Sequence, residues 1–198
     1  PDSGNSSPIV WGNRVFLTQA TRNGRTRSVV CFDRKTGKVL WQRDTAFDGD
    51  ELTHRTNPHA AASPITDGEA IYAWLGSAGF VAYDLDGNEL WKRNLGRYEH
   101  HWGYAASPVL AGENVIQHAG PGLLVKLVAM NRKTGEIAWE KALPAAQSAK
   151  VKDFKGSWAT PRFVENGGRT EMLIPLPKKL TSFDPATGNE FWHCQGLS

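Results

Sequence analysis

The chain has 198 residues, of which 40% are hydrophobic, and it contains 20 Gly and 11 Pro. This composition is too apolar for a disordered chain and predicts one folded domain with many turns. The net charge is +3, from 23 basic and 20 acidic residues that do not cluster, so we expect no nucleic-acid binding. No apolar run approaches the roughly 18 residues of a membrane span, and we expect no such span.

The N-terminal part of the chain predicts four short strands joined by tight turns. The runs are rich in β-branched and aromatic residues and are bounded by Gly, Asn and Asp, which is the signature of antiparallel hairpins. No stretch of the sequence shows a helical period. The predicted strands are Ile9–Trp11, Val15–Thr18, Val29–Phe32 and Val39–Arg43.

This pattern recurs along the chain in two motifs that share one period. The first motif ends in a tryptophan, and its copies are spaced by 50, 48 and 53 residues at Trp41, Trp91, Trp139 and Trp192. The second motif opens each apolar run, at Ser7-Pro8, Ser63-Pro64, Ser107-Pro108 and Thr160-Pro161. Four antiparallel strands in every period of about fifty residues predict an all-β fold, the β-propeller, with four four-stranded blades. We expect one propeller segment, 1–198, with blades at approximately 5–48, 58–98, 102–145 and 156–198.

Each position of the first motif has a physical role. The turn side chains are expected to accept hydrogen bonds from backbone amides, at Asp33, Asp84, Asn131 and Asp184. Glycines permit the positive φ that closes such turns, at Gly37, Gly87, Gly135 and Gly188. A column of small residues, Cys31, Ala82, Ala129 and Ser182, leaves room for a large ring. We expect the four motif tryptophans to supply that ring as structural docking residues that pack between adjacent blades.

The four copies are variants of the pattern Ala-x-Asp-x-x-x-Gly-x-x-x-Trp, and the second copy is one residue shorter in its turn. They resemble the tryptophan-docking motif of quinoprotein-like (PQQ-like) β-propellers. The resemblance covers all four repeats, at Cys31–Trp41, Ala82–Trp91, Ala129–Trp139 and Ser182–Trp192. The same repeat occurs in the lipoprotein scaffold of bacterial outer-membrane β-barrel assembly and in uncharacterised exported bacterial proteins, and the linkers of this chain resemble that last group most. The resemblance implies a location in the periplasm or at the cell surface, with the signal segment outside this chain.

The resemblance also bears on how the ring closes, because members of this family have seven or eight blades. Four blades leave two unpaired strand edges. Three arrangements stay open: a fragment of a larger ring, which the non-Met start and the blade-like boundaries favour, an edge-to-edge homodimer with eight blades, and a self-closed four-bladed ring. Cys31 and Cys194 fall three blades apart, so we expect no disulfide between them.

The segments that enter each first strand are expected on one face of the propeller, near the central channel, where loops on a rigid scaffold carry function. Imidazoles there could bind a metal or exchange protons near neutral pH. Arginine suits an anionic group, and tryptophan could stack on a planar quinone or a sugar ring. The channel-face candidates are His54, Arg55, Asn57, His59, His100, His101, Trp102, Tyr104 and Trp158. The competing interpretation is that they satisfy backbone groups and cover the end of the ring.

Several other polar residues are predicted to be structural or solvated. Neighbouring side chains in an extended loop point apart, which argues against His100 and His101 as a metal pair. The acidic segment 48–51 could suggest calcium but lacks the rest of a ligand loop, so a solvated loop is favoured. Arg25 and Arg27 lie beside a turn and are expected on the solvated surface, and His118 and His193 fall in strands.

Three functions stay open at this stage. The leading interpretation is a non-catalytic binding module of an exported bacterial protein, with a protein partner or a small ligand at the channel face. The second is a quinoprotein oxidoreductase, for which the resemblance implies pyrroloquinoline quinone (PQQ) with calcium. Against it, the chain lacks the adjacent cysteine pair of alcohol-oxidising members, and no segment matches their calcium site or catalytic Asp. The third is a scaffold for outer-membrane assembly that binds partners through strand edges or loops.

Overall fold

The computed structural model describes residues 3–144 and 156–196, which form sixteen β-strands in four antiparallel sheets. Blade 1 contains β1 (Ile9–Trp11), β2 (Arg14–Thr21), β3 (Thr26–Asp33) and β4 (Val39–Ala46). Blade 2 contains β5 (Ile65–Thr66), β6 (Ala70–Trp74), β7 (Phe80–Asp84) and β8 (Glu89–Arg93). Blade 3 contains β9 (Val109–Ala111), β10 (Asn114–Ala119), β11 (Lys126–Asn131) and β12 (Ile137–Ala142). Blade 4 contains β13 (Arg162–Asn166), β14 (Arg169–Leu176), β15 (Lys179–Phe183) and β16 (Glu190–Gln195).

The predicted all-β fold with four four-stranded blades is confirmed, since each sheet pairs its strands in sequence order. The first-blade strands were predicted too short: β2 runs to Thr21 and β3 begins at Thr26. These extra residues close the hairpin around a single 3-10 turn at Arg22–Gly24. No helix in the described part of the chain is long and apolar enough to cross a membrane.

Antiparallel pairing in sequence order divides the chain connections between two faces. The turns between the first and second strands, and between the third and fourth strands, lie at one end of each sheet, which we call the turn face. The remaining hairpin turns and the long segments between blades lie at the opposite end, which we call the loop face. The tryptophan motif therefore lies on the turn face. The Ser/Thr-Pro motif opens each first strand at its loop-face end, and all nine candidate site residues belong to the loop-face segments.

The motif tryptophans hold each blade against the next one at the turn face. The indole N–H donates to a turn carbonyl of the following blade: Trp41 to Leu85 at 2.9 Å, Trp91 to Arg132 at 2.8 Å and Trp139 to Pro185 at 3.3 Å. The ring also lies over the turn glycine, because a Cβ on Gly135 would be 2.5 Å from Trp91. Gly135 has a φ of 68°, so it meets both the conformational and the steric demand of this contact.

Trp192 differs from the other three, because its indole N–H donates to the Glu171 carboxylate of its own blade at 2.7 Å. The indole hydrogen bond to the next blade is therefore present at the three joints between described blades, and Trp192 makes a different contact. The Glu171 carboxylate also accepts a hydrogen bond from Ser182 at 2.6 Å. The hydrogen bond from Ser182, followed by the contact with Arg169, lowers the pKa of Glu171 to about 2. In blade 4, the hydrogen-bond donor of the motif tryptophan is thus paired within the same blade.

The Ser/Thr-Pro motif forms a second connection between blades. The backbone N–H of Ser7 donates to the Ser63 hydroxyl at 2.8 Å, that of Ser63 to Ser107 at 2.9 Å, and that of Ser107 to Thr160 at 2.9 Å. Three buried apolar clusters fill the space between the sheets, one at each joint. Each joint therefore combines an apolar core with the same two hydrogen bonds, which fixes the loop-face segments on a rigid frame.

Candidate functional site

The loop face brings aromatic candidates from all three inter-blade segments into one row. The ring centroids of His54 and Trp102 are 4.2 Å apart, and those of Trp102 and His101 are 5.2 Å apart. His101 stacks on His100 at 4.9 Å, and His100 meets the edge of Trp158 at 5.1 Å. Side chains from three segments of the sequence therefore form one continuous aromatic surface.

The side chains of His100 and His101 were expected to point apart, but their rings stack on each other. The backbone N–H of Gly103 donates to the His100 carbonyl at 2.7 Å, so the segment is a turn and not an extended loop. The turn places the two rings at an angle of 27° to each other. Among residues 3–144 and 156–196, however, no group of three or more His, Cys, Asp or Glu side chains could hold a metal ion.

An open hollow of about 440 Å³ lies beside this row and is lined by Asn57, Trp102, Ala105 and Trp158. Its wall is almost entirely apolar. Trp102 is 36% exposed, so one part of its ring is available to a ligand. The hollow lies within the range of about 300–1,000 Å³ that is typical of ligand sites.

The two tryptophans are held by hydrogen bonds that bridge the segments. The Asn57 amide donates to the carbonyls of Trp102 at 2.5 Å and of Tyr104 at 3.2 Å. The Trp158 indole N–H donates to the Gly103 carbonyl at 3.0 Å. Asn57 and Trp158 thus act through the backbone of the 102–104 segment, which fixes the walls of the hollow before a ligand arrives.

The other candidates have different positions. Arg55 is exposed on the same segment as His54. His59 and Tyr104 are buried, at 7% and 3% exposure, and the Tyr104 hydroxyl donates to the His59 carbonyl. Burial raises the pKa of Tyr104, so this phenol stays protonated. Lys155, which begins the fourth predicted entry segment, and the blade limits at 145 and 198 lie outside the described residues.

A buried ion pair beneath the row was missed by the sequence analysis. Arg27, predicted to be solvated, is completely buried, and its guanidinium lies 3.1 Å from the Glu51 carboxylate. It also donates to the Leu75 carbonyl at 2.6 Å and to the Tyr104 hydroxyl at 3.3 Å. The available signal was the apolar run that follows Arg27, because β3 is buried on both faces from Arg27 to Cys31.

Glu51 likewise differs from the solvated loop that was predicted for segment 48–51. Burial favours a raised pKa, but hydrogen bonding from His59, the charge of Arg27 and hydrogen bonds from Ser77 outweigh it, so the pKa of Glu51 is lowered. Asp48 and Asp50 do remain exposed, and both pair with Arg25. Asp48 and Asp50 are therefore solvated, whereas Glu51 is buried and joins the segment to Arg27 of blade 1.

The remaining titratable candidates are structural. His118 is completely buried beside the Ala159 carbonyl, with Nδ1 at 3.1 Å, and burial lowers its pKa. His193 is exposed and lies 2.6 Å from Glu190. Cys31 is buried and Cys194 is exposed, and both are free.

The described residues do not fit the quinone and calcium that the enzyme interpretation requires. PQQ is a planar tricarboxylate, which needs cations beside its aromatic support. The hollow offers aromatic faces, but none of its four lining residues is cationic. The charge of Arg27 is already balanced by Glu51. The donor set for calcium is also missing from the described ranges, which contain no cluster of carboxylates able to hold a metal.

The fold is shared with solved structures of two dehydrogenases and of BamB. Quinohemoprotein alcohol dehydrogenase from Comamonas testosteroni aligns with 98% of this chain and 35% of its own, at a TM-score of 0.70 and 16% identity. BamB from Moraxella catarrhalis aligns with 98% of this chain and 50% of its own, at a TM-score of 0.61 and 16% identity. A europium-containing methanol dehydrogenase aligns with 98% and 42%, at a TM-score of 0.63 and 12% identity.

These identities support the fold alone, and the chain spans between about a third and a half of the length of each of these three proteins. No curated protein matches the sequence. The family model described as "Outer membrane protein assembly factor BamB" matches residues 1–194. The motif tryptophans, the four blades and this match together show that the chain belongs to that family of PQQ-like β-propellers.

Proposed function

We propose that this chain is a non-catalytic binding module of an exported bacterial protein, acting in the periplasm or at the cell surface. Its partner is a protein that inserts an apolar side chain into the hollow at Asn57, Trp102, Ala105 and Trp158. The observation that carries the proposal is the almost wholly apolar wall of this hollow, with Trp102 36% exposed. The export and the protein partner are supported by the family description, which names an outer-membrane assembly factor.

The chemistry of the wall favours an apolar side chain over a sugar or an anion. A sugar needs polar groups around its ring, and an anion needs a cation, whereas this wall supplies neither beyond the Asn57 amide. That amide already donates to two backbone carbonyls. Aromatic residues in pre-formed recesses are typical anchors of protein interfaces, because they bury a large area and lose little entropy on binding.

The ion pair below the row supports a binding role for a different reason. Arg27 and Glu51 are both nearly inaccessible and neutralise each other, so they cannot reach a substrate in the hollow. His59 lies 3.8 Å from Glu51 and is buried with them. These charged groups hold the loop face in place, and the exposed chemistry of the face is aromatic.

The proposal is tested by selecting short peptides from a displayed random library against the immobilised chain. We expect the selected peptides to carry aromatic or large aliphatic residues and to bind Trp102→Ala at least tenfold more weakly. Leu40→Ala is the matched control, because Leu40 is 50% exposed on β4, away from the loop face. Selected peptides that bind Trp102→Ala as tightly as the unchanged chain would overturn the proposal.

The enzyme interpretation makes a separate prediction. Adding PQQ and calcium to the chain should quench tryptophan fluorescence and support reduction of a redox dye only if the chain is part of a quinoprotein. We expect neither signal, because the lining residues of the hollow include no cation to hold the tricarboxylate. Dye reduction that depends on both additions and is lost in Trp102→Ala would replace the binding function with an enzymatic one.

A further inference from the structure

The turn face closes its first joint with a tryptophan and an ion pair. Trp11, at the end of β1, lies over the turn of blade 2, where a Cβ on Gly68 would be 2.4 Å from the ring. Beside it, the Arg14 guanidinium lies 2.6 Å from the Asp86 carboxylate. At this joint, Trp11 therefore covers the first turn of blade 2, and the charges of Arg14 and Asp86 are paired.

The equivalent positions of the third joint carry small or neutral residues. Ala111 pairs with Asn114 at the end of β9, as Trp11 pairs with Arg14 at the end of β1. Pro185 accepts the indole hydrogen bond of Trp139, as Leu85 does for Trp41, so the next residue, Ala186, takes the position of Asp86. The tryptophan and both charges of the first joint are thus replaced, by Ala111, Asn114 and Ala186.

These replacements leave a hollow of about 450 Å³ between blades 3 and 4, lined in part by Leu110, Ala111, Phe163, Pro185 and Ala186. The turn glycines beside it, Gly167 and Gly168, would meet nothing within 4 Å if they carried a Cβ. Gly68, in contrast, is covered by Trp11. The space that the first joint fills from its own chain is therefore open in the third joint.

The second joint shows a different solution, which sharpens the contrast. Asp67 stands where Trp11 and Ala111 stand, and it lies 2.9 Å from the Arg132 guanidinium and 3.0 Å from the Tyr72 hydroxyl. Its recess is smaller, about 370 Å³, and its walls are mostly polar. The third joint therefore differs from the second in having a recess lined mainly by apolar residues, and from the first in leaving its turn glycines uncovered.

The rim of this hollow carries a negative charge. Glu113 lines it and is exposed, and it also lines the recess of the second joint, as do Arg132 and Lys133. None of the ion pairs between described residues includes Glu113. At the first joint, Arg14 supplies a positive charge at the edge of the turn face. The equivalent residue at the third joint is Asn114, which is neutral. A basic group brought by a partner would complement Glu113 in the way that opposite charges pair across interfaces.

We propose that this hollow is a docking site for a partner polypeptide that inserts an aromatic side chain next to a lysine or arginine. The aromatic ring takes the place that Trp11 fills at the first joint, and the basic side chain pairs with Glu113. The site lies on the turn face, opposite the hollow of the proposed function, so the two sites are tested independently.

The probe is the peptide amide Lys-Trp-Lys with 5-fluorotryptophan, whose ¹⁹F signal is distinct from the tryptophans of the chain. We expect saturable binding of this peptide. Lys-Ala-Lys, measured by competition, should bind at least tenfold more weakly. The Glu113→Gln variant should bind Lys-Trp-Lys about threefold more weakly, or more weakly still. Ala111→Trp rebuilds the first-joint arrangement and should abolish binding. Trp102→Ala, on the loop face, should leave it unchanged.

A second variant protects the test if Ala111→Trp does not fold. The double variant Asn114→Arg with Ala186→Asp recreates the first-joint ion pair at one half-buried and one exposed position and should also weaken binding at least tenfold. The proposal is wrong if the peptide shows no saturable binding up to millimolar concentration. It is also wrong if a folded Ala111→Trp variant binds the peptide as tightly as the unchanged chain does. Loss of binding in Trp102→Ala would equally contradict it.

Discussion

The turn face and the loop face of this propeller are built on different principles. At the turn face, the same contact recurs at successive joints, as in the indole hydrogen bonds of Trp41, Trp91 and Trp139. On the loop face, the contacts that support the aromatic row occur once each, as in the Arg27–Glu51 pair and the Asn57 amide. The comparison shows that the repeat specifies how blades dock, whereas the segments between repeats specify a surface that can recognise a partner.

The largest expected effect comes from breaking the buried pair of the loop face. Glu51→Gln leaves the Arg27 guanidinium buried and uncompensated, which should cost about 3–5 kcal/mol of unfolding free energy. Asp50→Asn is the matched control, because Asp50 pairs with Arg25 at the surface, and it should change stability by about 0.5 kcal/mol or less. Urea unfolding of both variants measures the difference. Equal effects would mean that the loop face is not anchored by this pair.

The next effect tests the repeated contact of the turn face. Gly135→Ala places a Cβ 2.5 Å from the Trp91 ring, in addition to the strain of a positive φ. Left-handed backbone costs about 1–2 kcal/mol for a residue with a Cβ, and forced repacking adds about 1–3 kcal/mol.

Gly37→Ala is the control for that variant, because Gly37 has a similar φ of 69° and no atom within 4 Å of its Cβ position. It should show the backbone cost alone. A Gly37→Ala variant that is as unstable as Gly135→Ala would show that the glycines are retained for their turns and not for ring docking.

A smaller effect concerns the hydrogen bond between Trp192 and Glu171 in blade 4. The pKa of Glu171 is about 2, below the usual carboxyl value of about 4.3, so its charged form stabilises the folded state. This contribution is complete above about pH 4.3 and is lost as the pH falls through about 2. Glu171→Gln should therefore flatten the fall of the melting temperature between about pH 5 and pH 2, as measured by circular dichroism. An unchanged slope would show that the carboxylate does not stabilise Trp192.

The repeat allowed much of the turn face to be predicted from the sequence. Asp33 accepts the backbone N–H groups of Lys35 and Thr36, and Asp84 accepts those of Asp86 and Asn88, as the motif predicted. These contacts are local, within four residues, so composition and spacing are sufficient to infer them.

The sequence predicted which segments form the loop face, but it did not predict which of their side chains contact one another. The candidates were predicted to lie on one face, yet the contact of Arg27 with Leu75 spans 48 residues, and that of Trp158 with Gly103 spans 55. A single sequence does not report such pairs. The stacking of His100 on His101 was missed because a turn at Gly103 replaced the extended loop that was assumed. Their role in binding remains a prediction.

The division between a docking face and a binding face is tested most directly by comparing Trp91→Ala with Trp102→Ala. Trp91 is 6% exposed and holds blade 2 to blade 3, whereas Trp102 is 36% exposed and lines the loop-face hollow. We expect Trp91→Ala to lose about 3–5 kcal/mol of unfolding free energy, and Trp102→Ala to lose about 1 kcal/mol or less while binding of the selected peptides falls at least tenfold. A Trp102→Ala variant that unfolds as readily as Trp91→Ala and keeps its peptide affinity would contradict the account.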